Sequence, residues 1–313
     1  MKKFLQLVEI RTKVASVLPF IIGNLFVYYR YETWSIPHAF ILLVSLLSID
    51  MATTAINNYM DYKKAIKKEG YNFEEHNAIV KHKMSQKNVR RVIVLLLLIG
   101  IIFGCYLVYL TDWVVFFIGL ISFTVGILYS FGPLPISRTP FGEMFSGLFM
   151  GFGIVFISAY IQIYQLELIK INIDARAINL GIQYVDVLII FILALPLTLS
   201  ISNIMLANNL CDMADDFENK RYTLPIVIGK DKAFKIYFLS IVLSLSIVPV
   251  LVIFKILPWH HLLVALVYVP IFKMYAAFKN SPSKKDTFVT AVKSLVLSSL
   301  AIIISLMVGI LIM

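Results

Sequence analysis

Nine stretches of mostly apolar residues run along the chain, at 14–30, 38–60, 91–111, 113–131, 141–165, 186–208, 233–256, 258–278 and 289–313. Each is close to the roughly 20 residues that a helix needs to cross the hydrocarbon core of a bilayer. Asp112 alone parts the third from the fourth. Pro196, Pro249 and Pro270 fall inside the sixth, seventh and eighth stretches. Proline kinks or splits a membrane helix there without excluding it, because neighbouring helices satisfy the freed carbonyl. The pattern predicts an all-α membrane protein of about nine transmembrane helices, forming a single domain over residues 1–313.

Composition agrees. The chain is 60% hydrophobic and 15% charged, where a soluble domain is about one quarter charged. A net charge of +10 raises the question of nucleic acid. The distribution of that charge points to membrane lipids instead, and to no nucleic acid. With the N-terminus in the cytoplasm, twenty-one Lys and Arg lie in inner segments, against Arg30, Lys170, Arg176 and Lys255 outside. That excess sets the orientation. It puts the C-terminus outside and the long polar loops 61–90 and 209–232 in the cytoplasm of a multi-pass cell-membrane protein. Lys2, Lys3 and the run Phe4 to Val8 imitate the start of a signal peptide. Glu9, Arg11 and Lys13 then interrupt the apolar stretch that one would need. Cys105 and Cys211 give neither a disulfide framework nor a zinc spacing.

Candidate chemistry gathers where two helices leave the membrane. The second span ends Asn57-Asn58-Tyr59-Met60-Asp61-Tyr62-Lys63. The sixth ends Asn208-Asn209-Leu210-Cys211-Asp212-Met213-Ala214-Asp215-Asp216. Both carry Asn-x-x-x-Asp, and Asp216 follows four residues later. Residues four apart share a helical face, so each motif presents a stripe of oxygens at a helix end. If the two helices face each other, Asn57, Asp61, Asn208, Asp212 and Asp216 converge. Carboxylates so gathered repel unless a hard cation reconciles them. Magnesium is held by few carboxylates plus substrate phosphates, which points to a Mg2+-bridged diphosphate. Lys220, Arg221 and Lys63 are placed to meet phosphate oxygens. A polar, solvated helix end explains either motif alone; two matched motifs on one side argue against it. Asp50 lies about three turns before Asp61, deep in the second span, where a carboxylate serves either function or a hydrogen bond between helices. His260 and His261, after Trp259, read as anchors at the outer interface. Tyr129 precedes the turn Ser130-Phe131-Gly132-Pro133-Leu134-Pro135 at the inner end of the fourth span.

These residues resemble the UbiA superfamily of intramembrane prenyltransferases over the whole chain. The similarity takes in Glu9-Ile10-Arg11-Thr12-Lys13 before Ala15-Ser16-Val17-Leu18-Pro19, the run Tyr129 to Pro135 with Phe141-Gly142-Glu143, and both acidic motifs. Ala207 to Asp216, followed by Asn219-Lys220-Arg221-Tyr222-Thr223-Leu224, is similar to the branch acting on 1,4-dihydroxy-2-naphthoate in menaquinone biosynthesis. That branch typically reads A-N-N-x-R-D-x-x-x-D-x-x-x-G-K-x-T-L. The chain departs from the pattern at Asn58, where an aspartate is usual, and at Ala65, where many members carry another. It departs again at Cys211 (usually arginine), Lys220 (glycine) and Arg221 (lysine).

The resemblance implies nine helices around a central cavity, the UbiA-type prenyltransferase fold. It implies transfer of a polyprenyl chain from an allylic diphosphate to an aromatic acceptor, with CO2 and diphosphate released and demethylmenaquinone formed. Asp61, Asp212 and Asp216 would be catalytic, and with Asn57 and Asn208 would hold Mg2+. Lys63, Tyr129, Lys220 and Arg221 would bind substrate. Another acceptor such as 4-hydroxybenzoate, and an ion-coupled transporter using Asp50, remain open as alternatives.

Overall fold

The structure is a computed structural model that describes residues 2–64, 77–173, 176 and 178–313. Position 65 and most of the basic loop after the second span lie outside the described residues. Among those described, nine helices are long and apolar enough to cross a membrane. They are α1 (Ile10–Tyr31), α2 (Ile36–Lys63), α3 (Gln86–Leu110), α4 (Trp113–Ser130), α5 (Gly142–Leu166), α6 (Tyr184–Cys211), α7 (Lys230–Ile253), α8 (Trp259–Asn280) and α9 (Val289–Ile312). An odd number of crossings puts the two termini on opposite faces of the membrane.

Helix α1 is the hub. It packs on α5 and α9, and α5 packs in turn on α6. Ile22, Phe26 and Val27 of α1, Val155 and Ala159 of α5, and Leu193 and Ala194 of α6 are fully buried in one core. Helix α2 packs chiefly on α3, whose outer side (Leu95, Leu98, Ile102) is exposed as a lipid-facing surface would be. Lipid is as apolar as leucine, so close backbone approach, not burial from water, holds such helices together. Glycine supplies that approach. A Cβ on Gly151 would sit 2.5 Å from Thr198 Cα, one on Gly147 2.5 Å from Thr198 O, and one on Gly23 2.6 Å from Val155 O. The contact of α5 with α6 falls where residues Gly147–Gly153 widen into a π-helical turn.

Proline acts as expected in α6 and α7, which run on through Pro196 and Pro249. In the eighth span, a 3-10 segment Trp259–Val267 precedes a shorter α-helix, Tyr268–Asn280, whose third residue is Pro270. The all-helical expectation misses one hairpin between α5 and α6, with β1 (Ile169–Ile173) antiparallel to β2 (Ile178–Ile182). Its register pairs Ile169 with Ile182 and Ile171 with Leu180, so these apolar residues share one face. Five-residue strands are too short to stand out beside spans of twenty. The reading of His261 as an interfacial anchor is also corrected. It is 1% exposed, and its Nδ1 lies 2.9 Å from Ser305 Oγ on α9.

Asp50 holds a helix junction together. Lys13 Nζ donates to Asp50 Oδ1 at 2.6 Å and to Thr54 Oγ1 at 2.7 Å, and Ser16 Oγ donates to Asp50 Oδ2 at 2.5 Å. Lys13 is 4% exposed. The pair ties the start of α1 to the middle of α2, which favours the structural role over the functional one. Removing one partner of a buried ion pair strands the other charge and costs about 3–5 kcal/mol. Asp50→Ala is therefore expected to lower thermal stability in detergent sharply, whereas Lys13→Met/Asp50→Leu recovers much of it. A well-folded, normally stable Asp50→Ala protein that is inactive would instead assign Asp50 to function.

Candidate active site

The two acidic motifs sit on different walls of the molecule, because α2 packs on α3 while α6 packs on α5 and α7. In the first motif Asn57 is exposed and Asp61 half-buried. Asn58 points the other way, 7% exposed. Its Nδ2 donates to Leu7 O at 3.0 Å and to Glu9 Oε1 at 3.1 Å, while its own carbonyl accepts from Asn77 Nδ2 at 2.9 Å. This explains the departure at position 58. An aspartate there could not donate to Leu7 O and would face the Glu9 carboxylate. The asparagine docks the N-terminal arm against the motif. Lys63 lies over the Tyr59 ring, 5.2 Å from its centroid.

In the second motif the expected continuous stripe breaks. Helix α6 ends at Cys211, and Asp212 caps a new short helix, Met213–Glu218. Asn208 and Asp212 are half-buried. Asp216 turns inward and is 4% exposed, which corrects the picture of three equivalent solvated positions. Each of the two carboxylates has a cation. Lys284 Nζ, from the turn after α8, pairs with Asp212. Arg221 Nε lies 3.2 Å from Asp216 Oδ1, near enough for an ion pair but off the angle for a hydrogen bond. Thr223 Oγ1 donates to Asp216 Oδ2 at 3.4 Å. Arg221 is half-buried and serves first as the partner of Asp216. Lys220 is exposed, with φ at 55°, in the left-handed region that favours glycine. That backbone explains why glycine is common at this place in the pattern.

The turn between α4 and α5 closes over this motif. Tyr222 N donates to Arg138 O at 3.1 Å, and Arg221 Nη2 reaches Ser137 O at 3.5 Å. Tyr129 Oη lies 3.5 Å from Gly142 O. Beside it, Glu143 is 5% exposed and accepts from Asn209 Nδ2 at 2.8 Å. Thus Asn208, Asp212, Asp216, Arg221 and Tyr129 gather at one end of the bundle. Lys284, Glu143, Asn209 and Thr223 join them without having been singled out from the sequence. Lys284 is 72 residues from Asp212, so no spacing announces it. Asn209 adjoins a motif residue, and only its burial marks it.

Burial pushes the Asp216 carboxyl up to about 6 from an ordinary 3.8, outweighing the opposing pull of the Arg221 guanidinium. The folded protein therefore holds this proton more tightly than the unfolded chain does. The stability it contributes is fully present below about pH 4 and is withdrawn as pH rises through about 6. In chelator, the parent is expected to melt progressively lower relative to Asp216→Asn as pH is raised from about 4.5 to about 7.5. A difference that does not change with pH would contradict the buried, proton-retaining carboxyl.

The family model described as the UbiA prenyltransferase family matches residues 16–311. A 1,4-dihydroxy-2-naphthoate octaprenyltransferase of Bacillus subtilis (strain 168) is 31% identical over 224 residues. The match covers 72% of this chain and 65% of that protein, so just under two thirds of the relative's length is spanned. Solved structures share the fold. One is a digeranylgeranylglyceryl phosphate synthase, with a TM-score of 0.65 at 18% identity, covering 100% of this chain and 99% of that one. Another is a UbiA homolog from Archaeoglobus fulgidus bound to GPP and Mg2+, with a TM-score of 0.66 at 13% identity, covering 98% and 99%. A third, the apo UbiA homolog from Aeropyrum pernix K1, has a TM-score of 0.68 at 15% identity, covering 94% and 98%.

Proposed function

The chain belongs to the UbiA prenyltransferase family, and on that premise we propose that it transfers a polyprenyl chain from an allylic diphosphate to 1,4-dihydroxy-2-naphthoate. The observation that carries this reading is the 31% identity to a protein named for that reaction. The second acidic motif, with its paired cations, supplies the matching chemistry.

The residues fit Mg2+ in one particular mode. Among the described residues, no three His, Cys, Asp or Glu side chains form a ready-made cage. The donors are all oxygens, however, and Mg2+ beside a diphosphate takes only one or two protein carboxylates, with phosphate oxygens and water completing its shell. Asp212 and Asp216, with Asn208, would hold it on one wall, and Asp61 with Asn57 on the other. When bound, the ion supplies Lewis-acid stabilisation of charge developing on the leaving diphosphate.

The chain's own residues do the rest. Lys284 and Arg221 neutralise the carboxylates in the structure described here, and are placed to turn to diphosphate oxygens when these arrive. Exposed Lys220 and Lys63 add positive charge at the same face, and Tyr129 borders the site from α4. The allylic C–O bond breaks with its electron pair going to the diphosphate. The electron-rich ring then bonds to the allylic carbon through its carboxylated carbon, and CO2 departs as the ring regains aromaticity. Apolar helix surfaces keep water from the allylic cation. They also suit an isoprenoid tail that is itself a membrane lipid. The lysine and arginine distribution supports a cytoplasmic site, with the N-terminus inside and the C-terminus outside. Reporter fusions at residues 220 and 282 are expected to read cytoplasmic and a fusion at the C-terminus external; a cytoplasmic C-terminus would overturn that orientation.

The deciding assay combines purified protein, 1,4-dihydroxy-2-naphthoate, an allylic diphosphate and Mg2+, with 4-hydroxybenzoate as competing acceptor. Turnover of 4-hydroxybenzoate with none of the naphthoate would refute the acceptor while leaving the chemistry standing. Chelation is expected to abolish activity. Asp61→Asn and Asp212→Asn each remove a charge at a half-exposed position. Each is expected to lower the rate about a hundred- to thousandfold, or roughly 3–4 kcal/mol, in folded protein. Asp215→Asn is expected to be milder than Asp216→Asn. If Asp61→Asn and Asp212→Asn both keep near-parental turnover, the diphosphate site is misplaced.

A further inference from the structure

Asn209 and Glu143 are both deeply buried, at 1% and 5% exposure, where α6 meets α5. Their single hydrogen bond, Asn209 Nδ2 to Glu143 Oε1 at 2.8 Å, joins the second acidic motif to the neighbouring helix. Neither Glu143 Oε2 nor Asn209 Oδ1 meets a donor among the described residues, so that one bond carries the whole polar contact. The backbone reinforces it. Ser202 Oγ donates to Glu143 O at 3.0 Å, one helical stretch below. Gly147 lets the two helices close until a Cβ would lie 2.0 Å from Ser202 Oγ.

Helical geometry turns this clamp into an aiming device. Successive residues are about 100° apart around a helix, and residues four apart differ by about 40°. Fixing Asn209 against α5 therefore turns Asn208 and Asp212 together to a different side of α6. Both are half-exposed there, while Asn209 is buried. The break at Cys211–Asp212 makes this control necessary. Beyond it, the chain continues as a helix of six residues, too short to hold its own direction.

We infer that Glu143 is a positioning residue for the diphosphate site: through Asn209 it sets the rotation of the end of α6, and so the placing of Asn208 and Asp212. It touches neither diphosphate nor cation. A glutamine at 143 would keep an acceptor for Asn209 Nδ2 and add a donor for the unmet Asn209 Oδ1, so the role needs the contact and not the charge. The inference rests on the proposed reaction.

Two readouts test it. One is prenyl transfer, resolved into kcat, KM and the Mg2+ concentration for half-activation. The other is the thermal shift that inorganic pyrophosphate with Mg2+ induces in the folded protein, which needs no turnover. Losing a buried hydrogen bond to a charged group corresponds to about ten- to hundredfold. Glu143→Ala is expected to lose kcat by that factor, to need more Mg2+, and to show a reduced pyrophosphate shift. Glu143→Gln is expected to stay within a few-fold of the parent in both readouts. Asn209→Asp, which sets two carboxylates against each other, is expected to fail. Glu143→Gln/Asn209→Asp, which restores one donor–acceptor pair with the roles exchanged, is expected to recover. The inference is overturned if Glu143→Gln is as impaired as Glu143→Ala, which would assign the role to charge. It is equally overturned if folded Glu143→Ala matches the parent, or if the double variant is no better than Asn209→Asp. A parent that shows the pyrophosphate shift but transfers no prenyl group would sink the proposed reaction, while the shift still decides the clamp.

Discussion

Inside a bilayer, a polar group that finds no partner within the protein finds none at all. This constraint shapes the molecule more than any apolar contact does. Each polar side chain deep in the helices is spent on joining one helix to another: Lys13 and Ser16 to Asp50 between α1 and α2, Gln162 to Asn24 between α5 and α1, and Asn209 to Glu143 between α6 and α5. Apolar side chains would be as content in lipid as in the bundle, so they specify no unique arrangement. The polar ties and the glycine contacts do. Tyr31 with Asp186 and Tyr160 with Asp112 repeat the device near the opposite membrane face.

The same constraint explains the charge arrangement of the site. Carboxylates needed to bind a cation and its diphosphate are a liability before these arrive. Lys284 and Arg221 cover Asp212 and Asp216 in the interval. A substrate bearing several negative charges competes for those cations and frees the carboxylates for the incoming ion, so cation and diphosphate favour each other's binding. The N-terminal arm treats the first motif similarly. Asn58 is satisfied by Leu7 and Glu9, which leaves Asn57 and Asp61 as the motif's outward-facing residues.

Much of this was legible in order along the chain. Nine apolar stretches, a lysine excess on alternate loops and two Asn-x-x-x-Asp motifs are local features, and a membrane makes local features decisive. A span of twenty apolar residues has one stable fate in lipid, which no tertiary contact needs to confirm. The pairing of Asp216 with Arg221, five residues on, lay within the same reach.

What the chain order could not show is which way each residue faces once helices pack. Asn208 and Asn209 are adjacent and chemically identical, yet one faces the site and the other is buried against Glu143, because α5 approaches α6 on that side. Asn57 and Asn58 divide in the same way, here because the N-terminal arm folds back over α2. Lys284 reaches Asp212 only because the turn after α8 comes to the end of α6. The β1–β2 hairpin and the burial of His261 against Ser305 follow the same rule. The sequence by itself determined that this chain spans the membrane about nine times and carries acidic chemistry at two helix ends. Tertiary packing decided the rotation of those ends and the partners of their charges, because in an apolar slab the direction of a polar side chain is set by whichever neighbouring helix can satisfy it.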